Sequence, residues 1–410
     1  MTMRRSPTFP EFLRLWLKVG CLSFGGPAGQ IALMHRLLVD ERKWLDEAAF
    51  LRALNVSMLL PGPEAQQLAV HAGWRLFGVR GGIAAGTLFV LPGALVMFAL
   101  VFGYAAFGTM PLVAGALLGV KAVVLAVVIE ALLRLAKRAL LTPVHWALAA
   151  GALVALALFE VPFPLVVLGA AVVGAVALPR GAATAPVPFG WQRAAGMLAI
   201  GTAIWLVPLA LLALWLGGDH VLAELGGFFA KLAVVTFGGA YAALAYVAQA
   251  AVETKGWLTP AQMIDGLGLA ETTPGPLILV LQFVGALAAG QSPAPFAPWV
   301  ATILGGCVAL WAMFVPSTLF ALVAAPAVDA LQSRPRLSAA LAGVTAAVVG
   351  VIANLALWFA LHTVVVSGQA DWVVAGMVAA ALVLMLRFRV GLLWVLALGA
   401  GVGVMLALSA

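Results

Sequence analysis

Apolar residues run through this chain in long blocks separated by short polar clusters. Residues 83–107, 111–133, 194–216 and 391–408 are each almost continuously apolar. An α-helix needs about 20 such residues to cross a bilayer. In lipid every backbone polar group must be satisfied within its own segment, so these blocks predict helices. The alternating pattern of a membrane β-barrel is absent. The pattern predicts an all-α polytopic membrane protein with thirteen membrane elements, six in each half and one connecting helix at 194–216. That count takes 48–77 and 263–290 as single crossings and changes if either is a re-entrant hairpin.

Composition agrees. The chain is 64% hydrophobic and 9% charged, whereas a soluble domain carries roughly a quarter of its residues charged. The net charge of +7 does not indicate nucleic acid as a partner. The basic residues are scattered through short loops, as the positive-inside rule requires. Cys21 and Cys307 lie in separate apolar segments and suggest no metal site. A cleavable leader is not expected, because the first apolar segment simply starts at Phe12 after a polar stretch.

The chain repeats itself at an offset of 213 residues, the separation of Phe24 from Phe237. Phe24-Gly25-Gly26 then falls on Phe237-Gly238-Gly239, Trp44-Leu45 on Trp257-Leu258, and Pro61-Gly62-Pro63 on Pro274-Gly275-Pro276. Lys18 meets Lys231 and Ser23 meets Thr236 with no gap. Basic residues swap sides between equivalent loops. Arg75 and Arg80, and then Arg134, Lys137 and Arg138, face counterparts without Lys or Arg; Arg334 with Arg336 and Arg387 with Arg389 answer unmarked loops of the first half. Such a swap predicts two inverted repeats. The expected organisation is a first repeat at 1–190, a connecting transmembrane helix at 191–220 and an inverted second repeat at 221–410. The N-terminus is then cytoplasmic. One loop dissents, since Arg36, Arg42 and Lys43 fall outside, although Asp40, Glu41, Asp46 and Glu47 balance them.

Each Pro-Gly-Pro triplet lies inside a hydrophobic stretch. Proline lacks the amide donor and pushes the preceding residue out of helical geometry, so a spanning helix must break there. The half-helix that follows offers amide groups and a partial positive charge to an anion. Paired interrupted segments are the best sequence pointer to a transporter's binding site. Polar residues flank both breaks: Glu64, Gln66 and Gln67 after the first, and Glu271, Thr272 and Thr273 before the second. The alternative is a pair of kinks that only shape packing.

Phe24-Gly25-Gly26-Pro27 marks a second break, matched by Phe237-Gly238-Gly239 with Ala240 in place of proline. Lys18 and Lys231 lie two helical turns before the first glycine of each motif. They either hold an anion there or snorkel to the interface. Lys121, near the middle of its apolar segment, is a costly charge and so a candidate for substrate attraction. Otherwise it is a structural partner of Glu130 or Glu64. Glu64, Glu130 and Glu271 are candidate proton-coupling groups. His71 reads as a satisfied polar group, and His35, His145, His220 and His362 as interfacial. No nucleophile–base pair, metal cluster, ATP-binding motif or dinucleotide motif is present, so neither an enzyme nor a cofactor is expected.

Phe24-Gly25-Gly26-Pro27, Trp44-Leu45, the string from Leu59 through Pro61-Gly62-Pro63-Glu64 to Leu68, Arg80-Gly81-Gly82 and Phe89-Val90-Leu91-Pro92-Gly93 together resemble the first domain of the chromate transporter family. Phe237-Gly238-Gly239, Trp257-Leu258 and Thr272-Thr273-Pro274-Gly275-Pro276 resemble its second. The likeness covers most of the chain in the two-domain long form. It implies efflux of chromate, a sulfate-like dianion, across the bacterial inner membrane, driven by a proton gradient or the membrane potential. Sulfate, another oxyanion, or an anion channel on the same scaffold are the alternatives. The implied partners are a small oxyanion and the lipid bilayer, and a homodimer is compatible with such a fold.

Overall fold

The structure is a computed structural model that describes residues 7–178, 191–237, 240–327, 335–366 and 369–409. The described residues form helices almost throughout. In the first half these are α1 (Phe9–Leu22), α2 (Gly26–His35), α3 (Glu47–Ser57), α4 (Glu64–Phe107), α5 (Pro111–Ala139), α6 (Pro143–Ala157) and α7 (Phe163–Ala177). Then come α8 (Trp191–Leu216), α9 (Val221–Val235), α10 (Ala240–Gln249), α11 (Pro260–Thr272), α12 (Val280–Gln291) and α13 (Pro298–Ala324). The last three are α14 (Pro335–Thr363), α15 (Trp372–Leu386) and α16 (Leu392–Ser409). Among the described residues the one β feature is the antiparallel pairing of Val365–Val366 with Gln369–Ala370.

Six described helices are long and apolar enough to cross a membrane: α4, α5, α8, α13, α14 and α16. The shorter α6, α7, α12 and α15 are also apolar. The chain is an all-α, multi-pass membrane protein. The thirteen elements expected from sequence also count α1 with α2 as one element, and α3 with the first part of α4 as another. The loop expected between Arg75 and Arg80 is a tight turn within α4, where the chain doubles back so that Gly73 meets Gly81 and Val70 meets Gly86. Phe77 and Gly78 there leave helical geometry, Gly78 with a φ of 63°.

Elements recur at the 213-residue spacing in detail that the sequence did not announce. A π-helical turn at Arg36–Glu41 follows α2, and another at Ala250–Thr254 follows α10. Each is closed alike: Trp44 and Leu45 donate their amides to the Leu38 carbonyl, as Trp257 and Leu258 do to that of Ala251. A cation lies over the tryptophan ring in both, Arg42 at 5.0 Å and Lys255 at 5.8 Å. Lys43 adopts a φ of 53°, and the residue at its equivalent position is a glycine, Gly256, at 59°.

The chain divides into two compact units. The first comprises described residues of 1–98, 180–240 and 273–338. In it α13 packs against α8, α9 and α12. Helix α12 is buried along almost its whole length, and a tight approach of Gly285 to Gly305 lets it lie close to α13. The second comprises described residues of 99–179, 241–272 and 339–410. Its centre is α5, which packs against α11, α15 and α16. Both units draw on both halves of the sequence.

Near the end of α2, His35 sits between two carboxylates, with Nε2 2.7 Å from Glu47 and Nδ1 3.3 Å from Asp40. The hydrogen bond to Glu47 and the nearby negative charge raise its pKa above the ordinary 6.5. A raised pKa means that protonation stabilises this corner; the benefit is complete below 6.5 and lost as pH climbs through the folded value. Amide exchange in residues 36–46, corrected for its intrinsic pH dependence, is therefore expected to be slower at pH 6 than at pH 8. His35→Ala should erase that difference.

Candidate functional site

The first unit brings all the described parts of the four breaks together. Helix α1 ends at Leu22 and α2 starts at Gly26, with Gly25 left-handed at φ 83° and Pro27 in the first turn of α2. At the triplets the central glycines also take positive φ, 116° at Gly62 and 96° at Gly275. The Gly62 amide donates to the Thr236 carbonyl, and the Gly275 amide donates to the Ser23 carbonyl, both at 2.8 Å. Each triplet is thus pinned to the residue before Phe-Gly-Gly in the other half of the chain. Ser23 and Thr236 match further. Both are buried, and their hydroxyls donate one turn back, to Val19 at 2.6 Å and to Leu232 at 2.7 Å.

These bonds change the donor inventory. The two glycine amides are engaged, so they are not the groups offered to an anion. The donors that remain at the first triplet are the first-turn amides of α4 at residues 65 and 66, which have no acceptor within the helix. Of Pro61, Gly62, Pro63, Pro274, Gly275 and Pro276, all are buried except the half-buried Pro61.

Glutamines brace the crossing. Gln30 donates to the Gly275 carbonyl and Gln67 to the Pro61 carbonyl, each at 2.6 Å. Gln66 donates to Thr318 at 2.8 Å and accepts from Ser317 at 2.6 Å. Gln282, in α12, donates to the Ala94 carbonyl at 2.9 Å. The Oε1 atoms of Gln30, Gln67 and Gln282 are buried and meet no donor among the described residues. Three of these glutamines are not repeated: the second-copy counterparts of Gln30, Gln66 and Gln67 are Ala243, Leu279 and Val280.

The second unit holds the buried charges. Lys121 Nζ lies 3.1 Å from Asp265 Oδ1, with the side chains 19% and 5% exposed. Tyr104 donates its hydroxyl to the other oxygen of Asp265 at 2.9 Å. Neither partner considered for Lys121 on sequence is the one it meets. Glu130 is instead paired with Arg134, one turn along α5. Glu271, buried at the end of α11, accepts from the Tyr241 hydroxyl at 2.9 Å.

The remaining predicted residues are dispersed. Lys18 and Lys231 are exposed on α1 and α9, and because α1 stops at Leu22 the helical register that linked Lys18 to Gly25 is interrupted. Phe24, Phe237 and Glu64 are half-buried, as is Thr272, whose hydroxyl donates to the Leu269 carbonyl; Thr273 is buried. Gly238 and Gly239 lie outside the described residues, as does Arg334. Sequence reasoning passed over Asp265, Tyr104, Tyr241, Gln30 and Ser317. Asp265 had a signal, being a lone acid within the apolar stretch from Met263 to Leu269.

Two regions of the chain, residues 10–175 and 223–404, match the family described as Chromate transporter. The chain belongs to the chromate transporter family. The two matched regions of this family member begin 213 residues apart, the spacing of the repeated motifs. It is 36% identical over 348 residues to the chromate transport protein of Pseudomonas aeruginosa, covering 84% of this chain and 79% of that one. With the chromate transport protein of Cupriavidus metallidurans it shares 29% over 371 residues, 89% of this chain and 86% of the relative. No solved structure matches this chromate transporter family member.

Proposed function

We propose that this chain is a secondary transporter that exports chromate across the bacterial inner membrane by alternating access. A proton gradient or the membrane potential drives it. Its halves, 1–190 and 221–410 joined by 191–220, act as inverted repeats, and the alternating loop charges put the N-terminus in the cytoplasm. The substrate is a tetrahedral oxyanion, chromate by family, with sulfate its nearest competitor. The protein moves its substrate unchanged and is no enzyme.

The observation that carries this reading is the reciprocal crossing of Gly62 with Thr236 and Gly275 with Ser23. Broken backbone at membrane depth is tolerated only where it is buried in protein or lines a cavity. Here two equivalent breaks are held by matched hydrogen bonds, which supports a substrate site at a repeat interface. The test is flux of labelled chromate in proteoliposomes under an imposed potential and pH gradient, with excess sulfate as competitor. Accumulation that sulfate suppresses supports a coupled oxyanion carrier. Flux that follows the chromate gradient alone, without saturation, would make the protein a channel.

Glu271 is the carboxyl best placed to couple protons. It is buried, its donor is a single tyrosine hydroxyl, and no Lys or Arg pairs with it among the described residues. Such a group exchanges its proton as its surroundings change. Glu271→Gln is expected to abolish accumulation driven by a pH gradient while sparing chromate–chromate exchange. Loss of both activities would make the role of Glu271 structural.

A further inference from the structure

An ammonium and a tyrosine hydroxyl converge on Asp265 in the second unit. Lys121 reaches one carboxylate oxygen from α5, and Tyr104 reaches the other from the end of α4. The position is set by close packing. Helix α11 approaches α5 where Gly268, one turn beyond Asp265, faces Val120 with no room for a side chain, and Lys121 is the next residue. The donors are thus held by the fold, while their acceptor is one short side chain.

A carboxylate and a tetrahedral oxyanion present the same thing to such a pair: two adjacent oxygens sharing negative charge. A lysine and a tyrosine hydroxyl that grip one can grip the other. Resting pairing also solves a problem of cost, since a lysine at this depth is expensive without a counter-charge. The acid is not a relic of duplication. Its first-copy counterpart is Arg52, and the position equivalent to Lys121 is about Thr345, whose hydroxyl bonds back to the Leu341 carbonyl. A charged pair closed by a tyrosine has been built into one arrangement only.

We propose that Lys121 and Tyr104 form an oxyanion-binding station within the second unit, and that Asp265 is its resident substitute, occupying the donors until an oxyanion displaces it. This rests on the oxyanion-transport reading but makes a separate claim about affinity. Asp265 is then a competitor of the substrate. Removing its charge tightens oxyanion binding, whereas a plain structural ion pair would only lose stability.

The test is titration calorimetry of the purified full chain in detergent with chromate and with sulfate, alongside flux in proteoliposomes. Asp265→Asn is expected to lower the Kd and the KM about tenfold. Lys121→Gln should raise both at least tenfold, and the double variant should behave like Lys121→Gln. Tyr104→Phe is expected to raise Kd several-fold without loss of folded protein, and it carries the test if Asp265→Asn does not fold. Folded Asp265→Asn with unchanged or weaker affinity would overturn the station, as would Tyr104→Phe with unchanged affinity. If the affinity pattern holds but no variant or wild type carries flux, the station stands and the transport reading falls. If wild type carries flux and the pattern is missing, the reverse holds.

Discussion

Gly62→Ala is expected to cut chromate flux at least tenfold while the protein still reaches the membrane and remains folded. At a φ of 116° the glycine occupies a region that L residues rarely adopt. An added Cβ would also lie 2.9 Å from Gln67 Nε2 and 3.0 Å from Ser317 Oγ. Backbone strain of this kind costs about 1–3 kcal/mol, and each 1.4 kcal/mol is about tenfold in an equilibrium. The simplest escape is rotation of the 61–63 turn, which breaks the Gly62–Thr236 hydrogen bond and withdraws the Pro61 carbonyl from Gln67. Both consequences fall on the crossing and not on the surrounding helices. Gly275→Ala is expected to be the milder variant. Its φ is 96°, and its new Cβ would first meet the flexible end of Leu279 at 3.2 Å. Initial rates in proteoliposomes, normalised to monodisperse protein, check both. Equal and normal rates for the two would remove the crossing from the mechanism.

The crossing explains what a sequence can and cannot disclose. The breaks were legible because Pro-Gly-Pro and Phe-Gly-Gly leave a helix no alternative, and their doubling was legible because such strings are rare. What was hidden is the pairing. Nothing in the string Pro61-Gly62-Pro63 says that its glycine amide will find the carbonyl of Thr236, far along the chain. The argument for an anion at the triplets rests on the amides of the half-helix that follows, whereas the glycine amides of the triplets themselves are taken by tertiary contact. Asp265 was missed for a related reason. Lys121 invited a search for a partner on its own helix, where Glu130 is near in sequence, but Glu130 is taken by Arg134 and the partner comes from α11. The loop read between Arg75 and Arg80 was legible from those arginines and is present as the tight turn at Phe77-Gly78, across which Gly73 and Gly81 meet.

The largest structural effect is expected at Gly119. Helix α5 meets α16 through Gly115 and Gly119 on one side and Gly399 and Gly403 on the other, two pairs at the four-residue spacing that lets helices touch. In lipid such contact matters more than burial does, because the tails are as apolar as the side chains. A Cβ on Gly119 would collide with the carbonyl of Gly399, which is backbone and cannot swing aside. Overpacking a good interface costs about 1–3 kcal/mol even when side chains can shift. Gly119→Leu is therefore expected to lower the melting temperature in detergent by on the order of 5 °C and to reduce folded yield. Gly151→Leu is the matched control: Gly151 lies on α6 with nothing near its missing Cβ, and its variant should melt as the parent does. The two glycines also differ in what they position. Lys121 follows Gly119 by two residues, and Val120 between them meets Gly268 of α11, so the α16 contact on one face of α5 holds the lysine against Asp265 on the other. Any Gly119→Leu protein that does fold should consequently bind oxyanion more weakly than the Gly151→Leu control. Unchanged melting and binding in Gly119→Leu would mean that α5 and α16 are not pressed together as the structure has them.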